Sequence, residues 1–152
     1  MKKRILSSLV NGLLATSCFL VLTCTVIAEA AEEVDVVINK SNSLAQLSLD
    51  DARKIFMGDK TVWPNGKHIT VMMLAPGQPE RAAIVREIYK MNEADYDRYF
   101  LEAAFTGRVS APPKEVRSAV QMKQLLAQNP GAIGYLKKSD VDDSVKVILK
   151  LP

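Results

Sequence analysis

Cysteine is nearly absent: Cys18 and Cys24 are the only two, and both fall within the first 30 residues. Histidine occurs once, at His68, tryptophan once, at Trp63, and aromatic residues amount to 6%. A single histidine with no cysteine beyond residue 30 offers too few ligands for a zinc site. It also leaves His68 as the only base on which a Ser–His–acid triad could be built. No Gly-x-Ser-x-Gly turn is present to hold a nucleophilic serine, and no Gly-rich phosphate loop of the Walker type occurs. The adjacent pairs Asp50–Asp51 and Asp142–Asp143 point apart in regular structure and read as solvated caps and turns. The chain therefore presents no catalytic constellation, calls for no cofactor or metal, and reads as a non-enzyme.

Strong charge of one sign is also missing. The formal net charge is +3 over 152 residues, and part of that excess belongs to the first 30 residues. There Lys2, Lys3 and Arg4 precede an apolar run over residues 9–27, followed by Ala28-Glu29-Ala30-Ala31. Positive, apolar and small-x-small in that order is a secretory signal, with cleavage expected after Ala30 and export to the periplasm. The run is also long enough for an uncleaved inner-membrane anchor, since a spanning helix takes about 20 apolar residues. A lipid anchor on Cys24 fits less well, because Thr23 stands where a smaller residue is wanted. Residues 31–152 carry 17 of the 20 basic and 16 of the 17 acidic residues, a net charge of +1. Nothing in that balance implies nucleic acid as a partner. Residues 31–152 are expected to form a single domain, enough for one modest core.

The remaining chain alternates strand and helix signals. Residues 34–39 form a β-rich apolar run. Ser48 reads as an N-cap with Asp50 and Asp51 in the first helical turn, where the dipole favours acid. That helix turns Ala52, Ile55 and Phe56 inward and stops near Gly58. After a turn-rich loop, residues 68–74 read as a strand, and residues 75–80 connect it to a helix with Pro79 at its first position. Ile84, Val85, Ile88 and Tyr89 mark that helix's apolar face. Asn92 caps the next, with Tyr96, Phe100 and Ala103 or Ala104 at helical spacing and Gly107 at its end. A long helix is expected over residues 114–128, with Val116, Ala119, Val120, Met122 and Leu126 on its core face. Strands follow at residues 132–136 and 145–149. The alternation predicts an α/β fold with a central sheet flanked by helices.

One passage stands out chemically. Residues 71–81 run from a strand through Ala75-Pro76-Gly77-Gln78 into a helix, a geometry in which unpaired amides and the helix dipole favour an anion. A plain βα connection has the same appearance.

Several phrases resemble one family. Leu49-Asp50-Asp51-Ala52-Arg53-Lys54-Ile55-Phe56-Met57-Gly58 with Trp63, then Ile69-Thr70-Val71, then Phe105-Thr106-Gly107, and above all Asn129-Pro130-Gly131-Ala132-Ile133-Gly134-Tyr135, are similar to phosphate ABC-transporter substrate-binding proteins. The matches extend over residues 34–152 and fit the second lobe of those two-lobed proteins, in particular their short stand-alone relatives. The resemblance implies one lobe of the type 2 periplasmic-binding fold and a small phosphate-like anion as ligand. It implies an ABC transporter or another envelope protein as partner. Ligand contacts would come from Gly77, Gln78 and Arg81, with Thr106 and Gly107 on a later loop. Full phosphate binders carry an arginine followed shortly by Asp-Gly-Ser-Gly-Thr. Here the corresponding stretch is Met72-Met73-Leu74-Ala75-Pro76-Gly77-Gln78-Pro79-Glu80-Arg81. The arginine position is apolar, the hydroxyls are gone, and Pro79 has no N–H to donate. Two functions follow: an anion-binding module for ABC uptake, or an interaction or regulatory protein that kept the fold and lost the anion site.

Overall fold

The computed structural model describes residues 33–109 and 112–151. The signal or anchor expected over residues 1–30 lies outside them. Strand β1 (Val34–Asn39) has every residue buried, as a strand covered on both faces must. Helix α1 (Leu49–Phe56) starts at Ser48, whose hydroxyl accepts from the Asp51 amide, and buries Ala52, Ile55 and Phe56. Strand β2 (Thr70–Leu74) leads to α2 (Pro79–Ile84). The chain then widens into a π-turn over Val85–Tyr89 that ends on Lys90 in the left-handed conformation. That extra-wide turn brings Ile84, Val85, Ile88 and Tyr89 into the core together. Helix α3 (Glu93–Phe105), capped by Asn92, buries Tyr96, Phe100 and Ala103 and leaves Ala104 exposed. Then come β3 (Lys114–Val116), α4 (Ala119–Gln128), β4 (Ala132–Lys137) and β5 (Val145–Lys150).

The five strands form one mixed sheet in the order β3-β2-β4-β1-β5. β2 runs parallel to β3 and β4, whereas β1 is antiparallel to β4 and β5. Helices cover both faces. Gly134 lies under α4, where an added Cβ would come within 2.5 Å of the Met122 sulfur. Its neighbour Tyr135 points to the opposite face and reaches the end of β2, next to α2. Trp63 is buried and donates from Nε1 to the Gly131 carbonyl at 3.0 Å. The Asn39 side-chain amide donates to the carbonyls of Leu126 and Ala127, satisfying the end of α4.

Two expectations are corrected. The helix predicted over residues 114–128 begins only at Ala119, because residues 114–116 are the parallel edge strand β3. Pro112 and Pro113 fix an extended approach. The helix then starts where Ser118 accepts from the Gln121 amide and Gln121 accepts from the Arg117 amide. In consequence Val116 is buried from the sheet, while Val120 is 62% exposed rather than in the core. The strand expected from His68 starts at Thr70, and His68 makes an isolated antiparallel bridge with Val62.

Candidate functional site

The parallel strands β2 and β3 end on the same edge of the sheet, and in open α/β sheets ligands bind outside the carboxyl ends of such strands. The connection over residues 75–78 sits there. Pro76, Gly77 and Gln78 are exposed. Gly77 has φ +88, and nothing stands within 4 Å of where its Cβ would be. The turn, not crowding, therefore demands the glycine. Gln78 is the N-cap of α2 with its side chain uncommitted to capping, so its amide faces solvent as a donor and acceptor. The first-turn amides of Glu80 and Arg81 have no intrahelical acceptor.

The base of this loop is held from both sides. β2 pairs with β4 only through Thr70 and Val71. Beyond that point the two strands part, and the Leu74 amide donates to the Tyr135 hydroxyl at 2.8 Å. The Leu74 carbonyl accepts from Arg81 Nη1 at 2.9 Å. Arg81 is 4% exposed. Its Nε donates to the Glu93 carboxylate at 3.0 Å, and its guanidinium lies 4.8 Å from the centre of the Tyr96 ring. Burial works to lower the Arg81 pKa, but the Glu93 hydrogen bond and charge outweigh it, and the group is held above its ordinary value. Glu80 is buried beneath the loop. Its Oε1 lies 3.6 Å from Lys137 Nζ, and Oε2 has no hydrogen-bond partner. Burial pushes the Tyr135 phenol upward, and the Leu74 amide partly offsets this.

Of the residues singled out in the sequence, Gly77, Gln78 and Arg81 share this loop and first turn. Gly77 and Gln78 are open to solvent, whereas the Arg81 guanidinium points inward and clamps Leu74. Thr106 and Gly107 lie elsewhere. Arg81 touches Glu93 and Tyr96 near the start of α3, and Thr106 caps its other end, about 18 Å away at about 1.5 Å per residue. The Thr106 hydroxyl donates to the Glu102 carbonyl of its own last turn. Sequence reasoning missed Tyr135 and Glu93 as supports of the loop. The Gly-Tyr pair carried the resemblance, but only the splay of β2 from β4 gives the hydroxyl its task. Among the described residues no group of three or more His, Cys, Asp and Glu could hold a metal ion, and no helix is long and apolar enough to cross a membrane.

No protein-family model matches the chain. Solved structures do. An ABC-type phosphate transport receptor from Vibrio cholerae superposes with a TM-score of 0.58 at 21% identity, over 78% of this chain and 46% of the receptor. A Clostridium perfringens protein assigned as a phosphate ABC transporter substrate-binding protein, solved with phosphate bound, gives 0.61 at 23% identity, over 78% and 45%. PstS from Borrelia burgdorferi gives 0.57 at 10% identity, over 76% and 46%. The chain spans about half the length of the structures it matches. Its fold is a mixed α/β lobe, a five-stranded central sheet flanked by helices, of the kind found in phosphate-binding proteins of ABC transport.

Proposed function

We propose that the chain is a solute-binding lobe of the cell envelope, exported by its N-terminal segment to the periplasm or held at the inner membrane by it. In this reading it holds a small anion such as phosphate at the β2–α2 loop for an ABC-type transporter. One observation carries the reading: in a lobe with the fold of phosphate receptors, the exposed loop at the carboxyl end of parallel β2 presents Gly77, an uncommitted Gln78 and the first amides of α2. Arg81 acts from below, fixing the Leu74 carbonyl so that the loop is preorganised. The donors facing solvent are neutral, and one side of the site is wet. Two or three net hydrogen bonds at about 1 kcal/mol each place the lone chain's Kd for phosphate on the order of 10 mM.

The test is a phosphate titration of the purified chain followed by amide NMR. Saturable shifts at Gly77, Gln78 and Glu80, weakened in Gln78→Ala, are the expected result. A folded chain that shows no saturable shift up to about thirty times that Kd (about 300 mM) sinks the anion reading.

A second reading has its own observation. On α3 the outward side chains Leu101 and Phe105 are 60% and 84% exposed, one turn apart on the same helix face and next to Thr106 and Gly107. Apolar side chains so exposed mark protein contacts when they cluster. In this reading the chain is an interaction or regulatory protein, and α3 is its contact face. Phe105→Ser then abolishes capture of the envelope partner while leaving the phosphate titration unchanged.

A further inference from the structure

The opposite end of β2 carries a feature that neither reading uses. β3 pairs with β2 only from Met72 to Leu74. Before that, the chain runs through Pro112 and Pro113, which have no N–H to offer the ladder. On that side Ile69 is met by the Thr61 carbonyl, and Thr70 and Val71 are left without a partner strand. A groove of about 440 Å³ opens there, between the end of α1, Phe100 of α3 and the beginnings of β2 and β3. It lies about 20 Å from the Gly77 loop, six residues along a strand at about 3.3 Å each.

Its chemistry is two-sided. Ile55, Phe56, Ile69, Phe100 and Pro113 supply an apolar floor, and Lys60, His68 and Lys114 line it with cationic or donor groups. Among the described residues no carboxylate lines it. The acid nearest in pairing is Asp51, 3.8 Å from Lys60, with both side chains about 40% exposed, a screened contact that a ligand carboxylate can replace. A cation is repelled by such a rim. A bare phosphate gains nothing from an apolar floor and stays hydrated.

We propose that this groove binds a small organic monocarboxylate with a compact apolar body of roughly ten heavy atoms, its carboxylate between Lys60 and Lys114 and its body over Phe56 and Phe100. Volume, floor and rim charge all point to that class. The apolar body supplies the burial and the ammonium groups select the acid over a neutral analogue.

The test titrates the purified chain with benzoate and hexanoate, with benzyl alcohol and hexanol as neutral matches, followed by amide NMR. Saturable shifts are expected at His68, Ile69, Thr70 and Lys114, with Gly77 and Gln78 unmoved. The alcohols should bind about tenfold more weakly, the worth of one partly desolvated ion pair. The double charge reversal Lys60→Glu with Lys114→Glu should lose the acids by at least that factor while keeping the far-ultraviolet circular dichroism. If that variant does not fold, Lys114→Gln alone serves, with a smaller loss. Shifts that never saturate, shifts at Gly77 instead, or equal binding of acid and alcohol would each overturn the proposal. Because phosphate is read at Gly77 and carboxylates at His68, either site can fail without the other.

Discussion

Replacing Tyr135 by phenylalanine isolates the support of the β2–α2 loop in one atom. Tyr135 is fully buried, and its hydroxyl is the acceptor for the Leu74 amide. Phenylalanine fills the same space, so no cavity term enters. The change strands a buried N–H, which costs about 1–3 kcal/mol. Part of that is offset, because the phenol hydroxyl no longer has to be taken out of water. The net expectation is about 1.5 kcal/mol of lost stability from these opposing costs. For a domain of this size that lowers Tm by roughly 5 °C. Urea denaturation at constant m-value measures the global loss, and hydrogen exchange at the Leu74 amide measures the local one. Tyr99→Phe is the control, since its hydroxyl donates to the half-buried Met57 carbonyl at 3.2 Å, and about 0.5 kcal/mol is expected there. A Tyr135→Phe loss below about 0.5 kcal/mol, with Leu74 exchange unchanged, refutes the argument that this hydroxyl holds the end of β2.

Alkali should unfold the chain through its core phenols. Burial is the main cause that pushes Tyr89, Tyr96 and Tyr135 above the ordinary 10.0, Tyr96 up to about 12. Since the folded pKa is the higher one, stability is full below pH 10 and falls as pH climbs through that value, by about 1.4 kcal/mol per pH unit for each tyrosine. Urea midpoints level to about pH 12 would contradict it. Two glycines should respond unequally to alanine. At Gly131 a Cβ would sit 2.1 Å from the His68 carbonyl oxygen, a backbone clash that no rotamer relieves. Gly131→Ala is therefore expected to cost about 3 kcal/mol or more. At Gly77 nothing stands in the way, so only the positive φ is strained, about 1 kcal/mol. Equal thermal shifts for the two variants would count against this account.

Periodicity and capping made most of the fold legible. The Ser48 cap, the inward Ala52–Ile55–Phe56 stripe and the Asn92 cap are local signals, settled within one turn of chain, and the structure places them as read. Residues 114–116 show where local reading ends. Lys-Glu-Val continues a helical pattern as easily as it starts a strand, and what decides is non-local: the open edge of β2 at Met72–Leu74, together with the extended approach from Pro112 and Pro113. Val120 was drawn into the core by the same error of phase. The loop at residues 75–78 was legible as a βα turn because Gly77 and Pro79 are turn and helix-start residues. The inward aim of Arg81 was not. Its partner Glu93 is twelve residues away, and only the packing of α3 against α2 brings them together.

The direction of Arg81 decides how the site can work. A guanidinium given to an anion contributes a charge-assisted bond, about twice a neutral one. Here it is committed to Leu74 and Glu93. Turning it outward would leave a buried carbonyl unpaired, at about 1–3 kcal/mol. That cost is comparable to the gain, so the inward state holds and an anion proposed at the loop would meet neutral donors. Tight capture then requires charge and dryness from elsewhere. A second body over the loop supplies both, since excluding water strengthens each polar contact. On the proposed reading, recruitment and anion capture would therefore be coupled: a partner that closes over Gly77 and Gln78 would raise phosphate affinity, and phosphate would raise the partner's affinity by the same factor.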